Sequence, residues 1–252
     1  MNRFIQLFRL GNCLMGIVGL LVAAFIAVGT SIPDSWFQLS VASISVAGFI
    51  AAGNTLNDYV DREVDKLAHP ERPLPSGRIE PQTAIVLAVL LFVASLALSL
   101  LLNPLSVSIF FIATLMMIAY ELRLKASGLA GNLTIAVLTG GLFLLGGAVV
   151  GSIENTLAAA GMAILVSLGR EITKDIEDMD GDEGRNTLPM RIGKRNAGMV
   201  AMGFFILGPV LSLEPVLNGI FGVAYLPLVL VADGIFLYDS WLLFQDPRRA
   251  QK

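Results

Sequence analysis

A chain of 252 residues that is 55% hydrophobic and only 15% charged, with a formal net charge of −3, has the composition of an integral membrane protein, not of a soluble domain. No basic footprint for nucleic acid accompanies that weak negative balance. A single cysteine, Cys13, excludes an intramolecular disulfide and any multi-cysteine metal site.

Apolar runs of about 17–25 residues, the length that crosses ~30 Å of hydrocarbon as a helix, recur along the whole sequence. They predict spans near 11–30, 36–56, 83–102, 105–121, 129–150, 156–173, 197–213 and 219–243. The runs lack the alternation of barrel strands, so helices are the spanning structure, because every backbone polar group in lipid must be satisfied within its own segment. The expected fold is an all-α polytopic bundle of about eight transmembrane helices, a single membrane-embedded domain over residues 1–252. The first run is too long for a signal-peptide core and is read as a retained helix. Threading eight spans from a cytoplasmic amino terminus puts all 17 Lys and Arg residues on the cytoplasmic side or in the helix ends beside it. The expected location is therefore the cell membrane, with both termini and the charged face cytoplasmic.

Two of the cytoplasmic connections are rich in acids. After the second span, "NTLNDYVDREVD" sets Asn57, Asp61 and Asp65 at i, i+4 and i+8, one helical face if the helix runs on, with Asp58 beside them. After the sixth, "GREITKDIEDMDGD" sets Asp175, Asp178 and Asp182 at i, i+3 and i+7. Crowded carboxylates repel one another unless a cation holds them, and hard oxygen donors suit Mg²⁺ bridged to a phosphate. Arg72, Arg78, Arg123, Lys125, Arg170 and Lys174 on the same face would then grip a diphosphate, Arg bidentately and Lys as a point charge. The plainer reading of either stretch is a solvated helix end with ordinary ion pairs. "HPERPLPSG" (69–77) forbids helix continuation and predicts an ordered, turn-rich loop, with His69 at its surface.

Together these stretches resemble the UbiA family of intramembrane prenyltransferases. "NDYVDREVDKLAHPERPLPSG" is similar to that family's first aspartate-rich motif and its following loop, and "DIEDMDGDEGRNTLP" to the second. The resemblance implies that Asn57, Asp61, Asp65, Asp178 and Asp182 hold Mg²⁺ on a prenyl diphosphate, with Asp175 an additional acid. Tyr120 and Lys125 in "YELRLK" resemble the family's diphosphate-binding tyrosine and lysine. "FRLGNCLMG", with Arg9 and Asn12 near the substrate headgroups, looks most like the archaeal branch that prenylates geranylgeranylglyceryl phosphate. That likeness implies transfer of a geranylgeranyl group to a lipid-phosphate acceptor within membrane lipid. It also implies nine spans, of which the ninth has no counterpart before the chain ends at "DPRRAQK".

Prenyl transfer needs negative charge on the departing diphosphate to be stabilised, which Mg²⁺ positioned by Asp61 and Asp178 and assisted by Lys125 would do. The acceptor proton would pass to Asp58, to Asp175 or to the diphosphate itself. The same chemistry on an aromatic or chlorin acceptor is an alternative, and a transporter is the rival from another class. Asp233, mid-span in "LVLVADGIFLYDSW", is either a functional intramembrane acid or one hydrogen-bonded to a neighbouring helix. The small residues of "LTGGLFLLGGAVVG" (138–151) predict close helix packing.

Overall fold

The computed structural model describes residues 2–179, 186–217, 219, 222 and 225–245. Those residues form helices and no strands, as the hydropathy requires. Among the described residues seven helical stretches are long and apolar enough to cross a membrane: Leu10–Ile32, Trp36–Val60, Pro81–Ser99, Pro104–Leu122, Leu129–Val149, Ile153–Asp178 and Lys194–Leu217. They fall on the first seven predicted spans. At the eighth lies a helix, Tyr225–Gln245, whose apolar portion Tyr225–Tyr238 is shorter. The chain divides into two compact units, Met1–Leu122 with Leu144–Ile153, and Arg123–Phe143 with Glu154–Lys252.

In the first unit a short helix α1 (Arg3–Phe8) leads into α2 (Leu10–Val28). The inward positions of α2 are Cys13, Gly16, Leu20, Ala23 and Ala27, spaced three and four apart, while Leu14, Met15, Val18 and Phe25 are exposed as a lipid-facing helix requires. Helix α3 (Trp36–Val60) packs against α2 and against α5 (Pro81–Ser99), which itself meets α6 (Pro104–Leu122). Small residues make these approaches close: a Cβ on Gly16 would overlap Ile50. With no hydrophobic force between helices in lipid, such packing is what holds them together. Ser45, Thr55 and Thr114 return their hydroxyls to carbonyls one turn back, at 2.9, 2.7 and 2.8 Å, which satisfies these three donors in the apolar interior. Asn103 caps α6 by accepting from the Ser106 amide at 2.9 Å, and donates to the Ala148 carbonyl at 2.6 Å near the end of α7 (Leu129–Val149).

The second unit is built on α8 (Leu157–Asp178) and α10 (Lys194–Ser212), which share a core of Ile172, Ile176, Ala197, Ala201 and Phe205. The small helix α9 (Leu188–Ile192) precedes α10, and α11 (Glu214–Leu217) follows it. Helix α12 (Tyr225–Gln245) packs on α10, with the rings of Phe205 and Phe236 stacked 6.2 Å apart. Asp233 is buried here and accepts from the Ser212 hydroxyl at 2.7 Å, a bond between α12 and α10.

The glycine-rich stretch of α7 packs as expected, and each unit uses its own glycine. In the first unit a Cβ on Gly146 would meet the Leu20 carbonyl at 2.8 Å and overlap Ala23. In the second, one on Gly140 would meet the Ala160 carbonyl at 2.8 Å.

Candidate active site

The first acidic segment begins where α3 ends. Asp61 leaves helical geometry at φ −82°, ψ 0°, and α4 (Arg62–Ala68) restarts beyond it. The expected continuous helix is thus interrupted, but its register is not. The Asp61 amide still bonds the Asn57 carbonyl, and the Asp65 amide the Asp61 carbonyl, both at 2.9 Å. Asn57, Asp61 and Asp65 therefore remain successive turns of one face.

The acids of this segment differ sharply in environment. Asp58 is 2% exposed and Asp65 4% exposed, so neither is a solvated helix-end charge. Each has its own guanidinium: Arg9 Nη2 lies 2.5 Å from Asp58 Oδ1, and Arg72 Nη1 lies 2.6 Å from Asp65 Oδ2. An unpaired carboxylate at such burial would cost several kcal/mol, roughly 3–5 by analogy with broken buried pairs. Glu63, by contrast, is exposed, and the Lys66 ammonium 2.7 Å away holds its carboxyl below the ordinary range. Arg62 lies over the Tyr59 ring. The plain surface-pair reading therefore describes the outer face of α4, and the inner face carries the buried charges.

Arg9 reaches Asp58 because the chain breaks at it. It separates α1 from α2 in the left-handed region, φ 50°, the one non-glycine residue with positive φ among those described. The Phe8 carbonyl, near this break, accepts from Asn54 Nδ2 at 3.0 Å and Cys13 Sγ at 3.4 Å. The same guanidinium touches Asn57 Oδ1 at 3.3 Å. Asn12, one turn further on, is exposed.

Arg72 is delivered by the proline-rich loop, which is ordered as expected. Its turns close through Arg72 N to the His69 carbonyl and Ser76 N to the Arg72 carbonyl, at 3.0 and 3.1 Å, and Gly77 takes φ +70°. Pro73, Leu74 and Ile79 are buried, the last two against Leu7 and Ala84, so the loop is seated on α1 and α5. Arg78 is turned back on this loop, bonding Ser76 Oγ at 2.9 Å and the Glu71 carbonyl. His69 is exposed.

In the second unit Asp175, half-buried, accepts from Asn132 Nδ2 at 2.7 Å, which joins α8 to the start of α7. Asp178 is the exposed last residue of α8; Lys174 and Arg170 are also exposed, Arg170 bonding its neighbour Glu171 at 3.1 Å. Lys125 is half-buried in the 3-10 turn Leu124–Ser127, next to exposed Arg123. Tyr120, in the first unit, is half-buried in the last turn of α6. Asp182 lies outside the described residues.

Sequence reasoning did not single out Glu121, Asn132 or Asn54. Glu121 is buried and takes hydrogen bonds from Asn57 Nδ2 at 3.3 and 3.2 Å. Its signal was legible: an acid directly closing an apolar span.

Among the described residues no three acidic, histidine or cysteine side chains already converge on a metal position. The donors of the first segment are nonetheless all oxygens, and its two buried carboxylates are each matched to a cation. That chemistry suits a hard divalent ion that keeps part of its water shell.

A model of the UbiA prenyltransferase family matches residues 17–252. Digeranylgeranylglyceryl phosphate synthase of Methanothermobacter thermautotrophicus is 36% identical over 99% of this chain and 88% of its own length. The synthase of Natronomonas pharaonis is 38% identical over 98% of this chain and 89% of its own. A solved digeranylgeranylglyceryl phosphate synthase structure superposes with a TM-score of 0.86 at 32% identity, covering 98% of this chain and 89% of that one. A UbiA homologue from Archaeoglobus fulgidus, bound to DMAPP and Mg²⁺, shares the fold at a TM-score of 0.79 and 18% identity, over 97% and 86% of the two chains. These findings set the transporter reading aside: the chain belongs to the UbiA prenyltransferase family and is a multi-pass membrane enzyme that transfers prenyl groups.

Proposed function

We propose that this prenyltransferase moves a geranylgeranyl group from geranylgeranyl diphosphate to the free glycerol hydroxyl of geranylgeranylglyceryl phosphate, forming the second ether bond of an archaeal lipid. The observation that carries the acceptor is the near full-length likeness to synthases of that name, at 36% and 38% identity, together with a solved synthase at TM-score 0.86. Supporting it, Arg9 stands at the break between α1 and α2, where a phosphate-bearing acceptor would find a guanidinium that is 32% exposed.

Mg²⁺, when bound, would neutralise charge developing on the departing diphosphate. In the first unit Asn57, Asp61 and Asp65 would hold it; in the second Asp178 and Asp182 would do so, with Asp175 oriented by Asn132. Tyr120, Lys125, Arg123, Lys174 and Arg170 would bind diphosphate oxygens, and Arg72 would orient Asp65. Asp58 is committed to Arg9 and suits the role of an anchor better than that of a base. Apolar helices around the site would exclude water from the allylic cation. The Lys and Arg bias puts the acidic face in the cytoplasm.

The test is to incubate purified protein with Mg²⁺, geranylgeranyl diphosphate and either geranylgeranylglyceryl phosphate or 4-hydroxybenzoate, and to weigh the product. A doubly alkylated glycerol phosphate is expected; prenylated hydroxybenzoate alone would overturn the acceptor. Asp61→Ala and Asp178→Ala should each lower kcat by roughly 10³-fold or more, as loss of transition-state charge stabilisation does. Near-normal turnover in both would reject the assignment.

A further inference from the structure

Glu121 belongs to neither acidic segment, yet it is 6% exposed at the end of α6, against Asn57. A side-chain amide is nearly symmetric in shape but not in polarity, since its nitrogen donates and its oxygen only accepts. Asn57 is held between an acceptor-only carboxylate and a donor-only guanidinium. Its Nδ2 lies 3.3 and 3.2 Å from the two Glu121 oxygens, and its Oδ1 lies 3.3 Å from Arg9 Nη2. Turned over, the amide would set oxygen against carboxylate and N–H against guanidinium, two repulsive contacts in a part-buried place. The surroundings therefore admit one orientation.

We propose that Glu121 is a positioning residue for the first acidic segment: by taking the Asn57 amide protons it keeps Oδ1, the atom able to meet a cation, turned away from α6. The inference rests on the reading that Asn57 contributes to Mg²⁺ binding. It accounts for a feature of the sequence that metal chemistry alone does not. A carboxylate would be the stronger Mg²⁺ donor at position 57, but it would lie within hydrogen-bond distance of the Glu121 carboxylate, where burial strengthens like-charge repulsion. With Glu121 behind it, position 57 must carry a donor on one side and an acceptor on the other, and asparagine supplies both.

The test uses the full chain in detergent and three near-isosteric variants, Glu121→Gln, Asn57→Asp and the double N57D/E121Q. Two readouts are taken: the Mg²⁺ concentration that half-saturates the metal-induced rise in unfolding temperature of the substrate-free protein, and kcat with KM for geranylgeranyl diphosphate at saturating Mg²⁺. Unfolding temperatures without Mg²⁺ report whether each variant is folded. Glu121→Gln should raise half-saturating Mg²⁺ by roughly 3- to 10-fold, since a charge-assisted bond becomes a neutral one, with kcat at saturating Mg²⁺ nearly unchanged. Asn57→Asp should raise it by about 30-fold or more, as two carboxylates meet. In N57D/E121Q the polarity of the pair is reversed, glutamine donating to aspartate, and at least ~10-fold of that loss should return. A double variant no better than Asn57→Asp would overturn the positioning role, because a mere spacer at 121 offers no rescue. An Asn57→Asp protein that binds Mg²⁺ as well as the parent would also overturn it, since the like-charge cost at Glu121 would be absent, whereas a further variant, Asn57→Leu, that binds Mg²⁺ as well as the parent would overturn the ligand reading beneath it, so the two failures are distinguishable.

Discussion

Replacing Arg9 by methionine tests the charge anchor most directly. The side chain keeps its apolar stem but loses the guanidinium 2.5 Å from Asp58, a carboxylate that is 2% exposed. Breaking a buried pair from one side costs ~3–5 kcal/mol. Arg9 is itself 32% exposed, and water entering where its head group lay reduces this to about 2–3 kcal/mol. For a chain of this size that is a fall of about 4–12 °C in unfolding midpoint. Asp58→Asn alone should cost only about 1 kcal/mol, because the stranded guanidinium reaches water. The double variant R9M/D58N should be no worse than that single, since it leaves no buried charge without a partner. Arg9→Gly should be about 1 kcal/mol milder than Arg9→Met, as glycine pays nothing for φ 50°. Thermal unfolding in detergent, followed by intrinsic fluorescence, gives the full cycle. If the double variant loses the sum of the two singles, the pair is uncoupled and the anchor argument fails.

Arg72→Ala should lower kcat/KM for prenyl diphosphate by roughly 10- to 100-fold, with Arg72→Lys between it and the parent, because the Asp65 carboxylate loses its partner; equal activity in all three proteins would remove Arg72 from the site. Gly146→Ala should destabilise by about 1–3 kcal/mol, since its Cβ meets the Leu20 carbonyl at 2.8 Å, whereas Gly141→Ala, with open space around it, should be neutral or stabilising. Unfolding midpoints that rank the two the other way would contradict the packing described for α7. Asp233→Leu should cost about 0.6–1.7 kcal/mol, the range of hydrogen bonds between membrane helices, while leaving turnover within about twofold; a large loss of kcat in a folded variant would give Asp233 a functional role instead.

The membrane helices were legible because hydropathy is a property of long runs, and Gly140 and Gly146 were legible as packing residues because small side chains at helical spacing have few other uses in lipid. The face carrying Asn57, Asp61 and Asp65 was readable from its spacing, but the break at Asp61 was not, since nothing in "VDRE" forbids a helix. Partnerships were the hidden part. That Arg72 turns to Asp65, Arg9 to Asp58, and Glu121 to Asn57 depends on contacts 7, 49 and 64 residues apart. No local pattern encodes such separations. The proposed acceptor, too, rests on likeness to relatives and not on spacing.

Gly128 ends the short turn that carries Lys125, at φ +62°, and a Cβ there would collide with the Asn186 carbonyl and approach Thr187. The turn is thus pressed onto the residues that lead into α9. Any side chain at 128 would therefore wedge the Lys125 turn away from the start of α9, so the footing of that lysine depends on a missing Cβ.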